Sequence, residues 1–216
     1  DFNLRLEMQL RAAGVPTVHY VSPSIWAWRP KRIEKIRRAA DRVLLVFPFE
    51  QSIYDDAGIA ATYVGHPLAS AIPAQVDADA ARARLGLSSG GPLVALLPGS
   101  RRAEVEYIGP SFIDAARLML RREPRLRFVL PVAEPGLRAA LAPALAAAAE
   151  AAERIMVIAG RSHDCLEAAD GVLVASGTAT LEAALFGRPM VIAYRMPPSS
   201  YWSRTSTQPS ERWLVT

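Results

Sequence analysis

The sequence has one cysteine in 216 residues, two lysines among its 25 cations, and no long uninterrupted apolar run. Each shortage excludes something. Cys165 alone cannot close an internal disulfide, and with no second Cys and no His at ligand spacing it cannot build a structural zinc site. A reducing, cytoplasmic setting is therefore expected. Arg, Asp, Glu or Pro interrupts every apolar stretch before the roughly 18–20 residues that a spanning helix needs. Neither Gly-x-Gly-x-x-Gly nor Gly-Lys-Ser/Thr occurs, which weighs against dehydrogenases, kinases and P-loop NTPases. Asp1-Phe2-Asn3-Leu4 has no initiator Met and no signal-peptide pattern, so the chain is expected to be an internal fragment.

What is present is an ordinary globular composition: 51% hydrophobic, 21% charged, with 17 Pro and 13 Gly that follow no period. That excludes a disordered or collagen-like chain and leaves room for one or two domains. The net charge of +4 is local. Arg29, Lys31, Arg32, Lys35, Arg37, Arg38 and Arg42 against Glu34 and Asp41 give +5, leaving −1 for the rest. The excess of Arg over Lys carries no functional weight.

Short β-branched runs alternate with helix-length segments, the pattern of βα units and a parallel sheet covered on both faces. Strands are expected at 17–21, 42–47, 62–64, 93–97, 127–132, 155–158, 171–175 and 189–194. Helices are expected at 3–13, 30–40, 51–57, 78–85, 110–122, 135–152, 162–169 and 178–186. The Pro- and Gly-rich passage between His66 and Leu93 is the best interdomain crossing, dividing the chain near residue 70. Residues 203–216 have lost all periodicity and are expected to be loosely ordered or foreign to the fold.

Two strand-to-helix turns could carry chemistry. In Leu97-Pro98-Gly99-Ser100-Arg101 a buried strand runs into a turn with a Gly for close approach, a hydroxyl and a guanidinium, all suited to a phosphate. A plain turn with a solvated Arg is the other reading. In Ala175-Ser176-Gly177-Thr178-Ala179-Thr180-Leu181-Glu182 the same arrangement recurs. Glu182 has the poor cap Ala179 three residues before it, so a capping-box role is weak, and its carboxylate could accept both ribose hydroxyls. A surface Glu favoured by the helix dipole is the alternative. Both turns open onto the carboxyl edge of one sheet, where open α/β folds bind ligands, which suggests a nucleoside diphosphate site. Gly160 ends a third strand at that edge and could offer backbone groups to a base, although a simple core strand explains it as well.

A third feature packs aromatics with cations: Ser22-Pro23-Ser24-Ile25-Trp26-Ala27-Trp28-Arg29 leads into the basic helix with Arg37 and Arg38. With Ile33 and Ile36 on one face it suits an anionic membrane interface or an acceptor phosphate better than nucleic acid. A solvated basic helix is the alternative. Asp77-Ala78-Asp79 has the form of a metal motif, but Asp77 sits where it would cap a helix. No histidine has ligand spacing, and only His66, in a Gly-His-Pro turn, is kept as a cleft residue.

Five motifs taken in order, Tyr20-Val21-Ser22-Pro23-Ser24-Ile25-Trp26-Ala27-Trp28-Arg29, Phe47-Pro48-Phe49-Glu50, Val64-Gly65-His66-Pro67-Leu68, Leu97-Pro98-Gly99-Ser100-Arg101 with Glu104-Val105-Glu106, and Ala175-Ser176-Gly177-Thr178 with Leu181-Glu182, closely resemble the lipid-A-disaccharide synthase family. The resemblance covers roughly residues 1–202. It implies an α/β, GT-B-like fold of two Rossmann-type parallel-sheet domains, the first incomplete. Residues 1–70 would then be the last part of an acceptor-side domain, 71–202 the UDP-sugar-binding domain, and 203–216 an atypical tail. The activity implied is that of an inverting, metal-independent transferase needing no cofactor. It would join UDP-2,3-diacylglucosamine to 2,3-diacylglucosamine 1-phosphate and release UDP in forming the β-1,6 lipid A disaccharide. Arg101 is implied as catalytic. Gly99, Ser100, Arg101, Gly160, Ser176, Gly177, Thr178 and Glu182 would bind UDP. Ser22, Trp26, Trp28, Arg29, Arg37, Arg38 and His66 would meet the acceptor or the membrane. The implied location is peripheral, on the anionic inner face of the inner membrane, with no nucleic-acid partner and room for a homodimer in the full-length protein. The family's general base would lie before residue 1, so this chain is expected to be inactive. A UDP-N-acetylglucosamine 2-epimerase-like enzyme, or a non-catalytic nucleotide- or membrane-binding fragment, is the alternative.

Overall fold

The computed structural model describes residues 2–28, 30–73, 75–87, 90–194 and 214–215. It resolves into two compact units, Asp1–Ala71 and Ile72–Thr216.

Unit 1 holds a three-stranded parallel sheet in the order β1 (Val18–Tyr20), β2 (Arg42–Leu45), β3 (Ala61–Tyr63). Helices α1 (Phe2–Ala12), α2 (Ile25–Trp28), α3 (Ile33–Ala39), α4 (Glu50–Asp56) and α5 (Pro67–Ala71) accompany it. Its core gathers Leu4, Ile25, Ile36, Val43, Leu45 and Tyr54. Polar clamps fasten α1 to the sheet. Arg11 Nε pairs with Asp41 Oδ1 at 2.9 Å, and Asp41 Oδ2 accepts the Thr17 N–H at 2.8 Å. Buried His19 on β1 meets Glu7 of α1 at 2.8 Å through Nδ1.

Unit 2 carries a six-stranded sheet ordered β6-β5-β4-β7-β8-β9: Ile155–Ala159, Arg127–Val132, Leu93–Leu97, Gly171–Ala175, Met190–Tyr194 and Leu214–Val215. All neighbours are parallel except β9, which runs antiparallel to β8. From β4 the chain builds outward on one side through β5 and β6, then returns to the other side of β4 with β7. The switch point therefore lies between β4 and β7, the place where open α/β sheets leave a crevice. Helix α7 (Arg102–Arg122) lays Val105, Ile108, Phe112, Ile113 and Ala116 into the core with Phe128 and Leu130 of β5 and Leu141 of α8 (Leu137–Ala147). That burial at three- and four-residue spacing is the amphipathic helix the sheet face requires. Helix α6 (Ala78–Arg84) is tied to the sheet by Arg82. Its guanidinium donates to the Ala168 carbonyl at 3.0 Å and to Asp170 Oδ2 at 2.8 Å, and that same oxygen accepts the Leu93 N–H at the start of β4.

The structure corrects several expected boundaries. Helix α7 begins at Arg102, two turns before Pro110, which lies inside the helix and does not start it. The missing N–H costs one internal bond, which the packing of this long helix outweighs. The helix expected over 135–152 is two, α8 and α9 (Ala149–Ala152), parted at Ala148 where φ is −116° and ψ 45°. Short helices α2 and α5 replace expected loops. In the last stretch Leu214–Val215, expected to be loose, adds a strand to β8, and 195–213 lie outside the described residues.

Candidate functional site

Two turns flank the switch point, one after β4 and one after β7, and each feeds a helix N-terminus toward the same space. A cavity of about 640 Å³ opens there, a size suited to a small organic ligand. Gly99, Ser100, Arg101, Gly160, Ser176, Gly177, Thr178 and Glu182, all singled out from sequence, line it together. Glu104, Tyr107, Ser162 and the Pro131–Ala133 end of β5 complete the wall, and sequence reasoning gave these no role.

In the turn after β4 the glycine has a role within the chain. Gly99 sits at φ +127°, and a Cβ there would come within 2.7 Å of both Glu104 Cβ and Oε2. The absent side chain makes room for Glu104. Glu104 Oε2 accepts the Ser100 N–H at 3.1 Å and the Arg101 N–H at 3.3 Å, while Oε1 accepts from Arg101 Nη1 at 2.7 Å. Burial pushes the Glu104 carboxyl up, but these bonds from Arg101 and Ser100 outweigh it and hold the group below its ordinary range. The signal for Glu104 was the Arg101-to-Glu104 spacing, in which a Glu three residues into a helix reaches back to the cap N–H. Arg does not look like a cap residue, so the pattern was passed over.

The turn after β7 is open. Gly177 leads into α11 (Thr178–Leu185), and no side chain caps that end. The Thr180 hydroxyl and N–H both donate back to the Gly177 carbonyl, at 2.6 and 3.2 Å, and the start of the helix, Gly177 to Ala179, lines the cavity. Glu182, one turn in, is largely buried and its Oε2 stands 3.7 Å from His163 Nε2. The His163 ring in turn packs edge-on against Phe186 at 5.5 Å. Beside them the chain leaves β6 through two successive left-handed residues, Gly160 at φ +63° and Arg161 at φ +57°. Arg161 Nε bonds Asp164 Oδ2 at 2.9 Å, which offsets part of the strain of that conformation.

The residues expected to meet an acceptor or membrane all lie in unit 1 and are less uniform. Trp26 is exposed and stands edge-on to exposed Phe49 at 5.3 Å. Phe49 stacks on Phe47 at 5.6 Å, and His66 leans on Phe47 at 5.8 Å. His66 Nδ1 accepts the Leu68 N–H at 3.1 Å. Arg37 and Arg38 are exposed, Arg37 paired with Glu34 at 3.3 Å. Two expectations need correcting. Ser22 is buried and its hydroxyl is bonded to the Tyr54 hydroxyl at 2.8 Å, so it has no face for a ligand. Ile36 is fully buried and Ile33 packs on the unit 1 core, so the apolar side of α3 is spent internally and its exposed face is charged, with Glu34 among the cations. Trp28 closes α2, and Arg29 lies outside the described residues.

Asp77 caps α6, accepting the Ala80 N–H at 2.9 Å, as its position implied. Among the described residues no group of three His, Cys, Asp or Glu side chains is placed to hold a metal ion, and no helix is long and apolar enough to cross a membrane.

Comparison with known proteins gives consistent matches. The model of the family described as Lipid-A-disaccharide synthetase matches residues 1–204. The lipid-A-disaccharide synthase of Albidiferax ferrireducens is 57% identical over 196 residues, 91% of this chain and 50% of that protein. The enzyme of the same name from Verminephrobacter eiseniae is 54% identical over 214 residues, 99% of this chain and 54% of its own length, so that match reaches into 203–216. The chain thus spans about half the length of these curated relatives. Among solved structures, the S. aureus MnaA-UDP co-structure aligns with a TM-score of 0.57 at 15% identity, over 85% of this chain and 52% of that one. That likeness speaks for the GT-B-like fold alone.

Proposed function

The chain belongs to the Lipid-A-disaccharide synthetase family, and on that premise we propose that its second unit binds the nucleotide of a UDP-diacylglucosamine donor for glycosyl transfer. The acceptor is diacylglucosamine 1-phosphate and the products are the β-1,6 lipid A disaccharide 1-phosphate and UDP. One observation carries the reading: eight residues chosen for nucleotide chemistry converge on a single cavity at the switch point of the sheet. In this reading the acceptor hydroxyl oxygen attacks the sugar anomeric carbon from the face opposite the diphosphate. The carbon–oxygen bond to phosphate breaks and UDP leaves with the electron pair, which inverts the centre.

No metal is required where protein groups take the developing charge. The Arg101 guanidinium supplies a bidentate cation, and the N–H groups at the start of α11 supply dipoles fixed before reaction begins. Glu182 accepts the ribose hydroxyls, and the Gly160 turn faces the base. The acceptor hydroxyl must give up its proton as the new bond forms, to solvent or to a base other than these residues, so this chain alone is expected not to turn over. In unit 1, exposed Trp26, Phe49, Arg37 and Arg38 suit an anionic membrane surface or the acceptor phosphate, with His66 as a further contact. On this reading the full-length protein works peripherally, on the inner face of the inner membrane. The match to the family over 204 residues favours this reading over an epimerase-like enzyme.

Titration of UDP by calorimetry into the chain and into Arg101→Ala and Glu182→Ala tests the site. Saturable binding is expected, weakened about tenfold or more in each variant, since a hydrogen bond to a charged group contributes about 1.5–3 kcal/mol. A folded chain that binds no UDP overturns the assignment of the cavity.

A further inference from the structure

The two helix N-termini at the cavity are alike in topology and opposite in state. The end of α11 has no side-chain cap, while the end of α7 is already occupied by an anion from its own chain. Glu104 takes the two N–H groups that the Pro98–Arg101 loop would otherwise offer to a phosphate, and holds one edge of the Arg101 guanidinium. A Cβ at Gly99 would collide with the Glu104 side chain, so the turn needs glycine for that carboxylate to reach it. The Arg101 side chain is 81% exposed and lines the cavity, and a guanidinium has five N–H donors, so the contact with Glu104 fixes its direction while using one of them.

From this arrangement we infer that Glu104 is a positioning residue: its carboxylate builds the loop and aims Arg101, so that a nucleoside diphosphate takes its cation from Arg101 and its backbone N–H groups from α11. This rests on the nucleotide reading of the cavity given above. It assigns the two turns unequal work. The first presents a directed positive charge, and the second presents the free amides.

The sign of one substitution decides the matter. Removing the Glu104 charge takes a carboxylate away from where a diphosphate would bind, and by Coulomb attraction alone that tightens binding. Loss of a positioning group weakens it. UDP is titrated into the wild-type chain, Glu104→Gln, Arg101→Ala and the double variant, with the thermal midpoint of each recorded. Glu104→Gln is expected to weaken UDP binding about fivefold or more in the wild-type background and less than about twofold once Arg101 is gone, because residues sharing one interaction are non-additive. A purely structural role would lower affinity equally in both backgrounds, and unchanged or tighter binding would show Glu104 as a bystander or competitor. Each of these overturns the inference. A wild type that is folded but binds no UDP would sink the nucleotide reading, and the positioning of Arg101 is then read without ligand. The Ser100 and Arg101 amide resonances and the Arg101 Nε–H signal should shift and exchange faster in Glu104→Gln, and unchanged signals would refute it.

Discussion

The two units solve the same problem, a parallel sheet with helices, to different degrees of closure. Among the described residues unit 1 exposes eleven large apolar side chains, from Phe2 and Leu6 to Tyr63 and Val64, whereas unit 2, twice as long, exposes Leu118, Met156 and Val191. Unit 2 has buried its apolar surface around a long helix and a five-strand parallel core, and what it leaves open is a cavity whose largely apolar wall carries Arg101, Glu104 and Glu182. Unit 1 leaves open aromatic rings and the apolar stripe Phe2, Leu6, Leu10 along α1. Exposed apolar side chains along one helix face suit contact with another surface, and so the units differ in what they can recognise.

The largest effect that tests this contrast is a core truncation. Phe112→Ala should cost about 3–5 kcal/mol in unit 2, read as lost amide hydrogen-exchange protection in β4 and β5. Protection of Val43 and Leu45 in unit 1 should stay unchanged. An equal loss in both would mean that the units unfold as one body. Next comes Gly99→Ala, which forces a side chain onto Glu104 in a left-handed backbone. It should destabilise unit 2 by about 1–3 kcal/mol and weaken UDP binding together, seen in a melt and a titration.

Acid separates the units more gently. The Thr17 N–H holds the Asp41 carboxyl below its ordinary 3.8 against the effect of burial, with the Thr17 hydroxyl and Arg11 assisting. Burial pushes Asp164 up, but Arg84 and Arg161 outweigh it and leave it lowered too. A carboxyl lowered by folding contributes its full stability above the ordinary value and loses it as the pH falls below 3.8 toward its value in the folded protein. Asp41→Asn should therefore flatten the acid loss of unit 1, and leave that of unit 2 untouched, in pH-dependent exchange. The smallest effect is expected at Trp26→Ala. As an exposed side chain it should change stability by less than about 0.5 kcal/mol while reducing sedimentation with anionic vesicles. Unchanged vesicle binding would remove the aromatic surface of unit 1 from the functional account.

The strands were legible because buried parallel strands read as apolar runs bounded by turns, and Leu93–Leu97 and Gly171–Ala175 stand at their expected limits. The cavity was legible for a related reason, since the residues after two such strands must meet at the sheet edge. What stayed hidden depends on tertiary packing. Pro110 looks like a helix start until the packing of α7 is known, and the same misreading hid the first two turns, where Glu104 stands. Ser22 reads as an available hydroxyl until Tyr54, 32 residues on, is seen to claim it. The amphipathic pattern of α3 was correctly seen, but a pattern alone does not tell an apolar face turned to a core from one turned to a membrane.

Asp164 joins more than its own turn. It accepts from Arg161 on the left-handed turn at the cavity rim and, through its other oxygen, from Arg84 Nε at 2.8 Å. Arg84 belongs to α6, the first helix the chain forms within unit 2. The rim is thus guyed like a mast to the point where the chain enters the unit. Arg84 also bonds Glu167, so one guanidinium ties the first helix of unit 2 to the segment after the turn, and what loosens the one loosens the other.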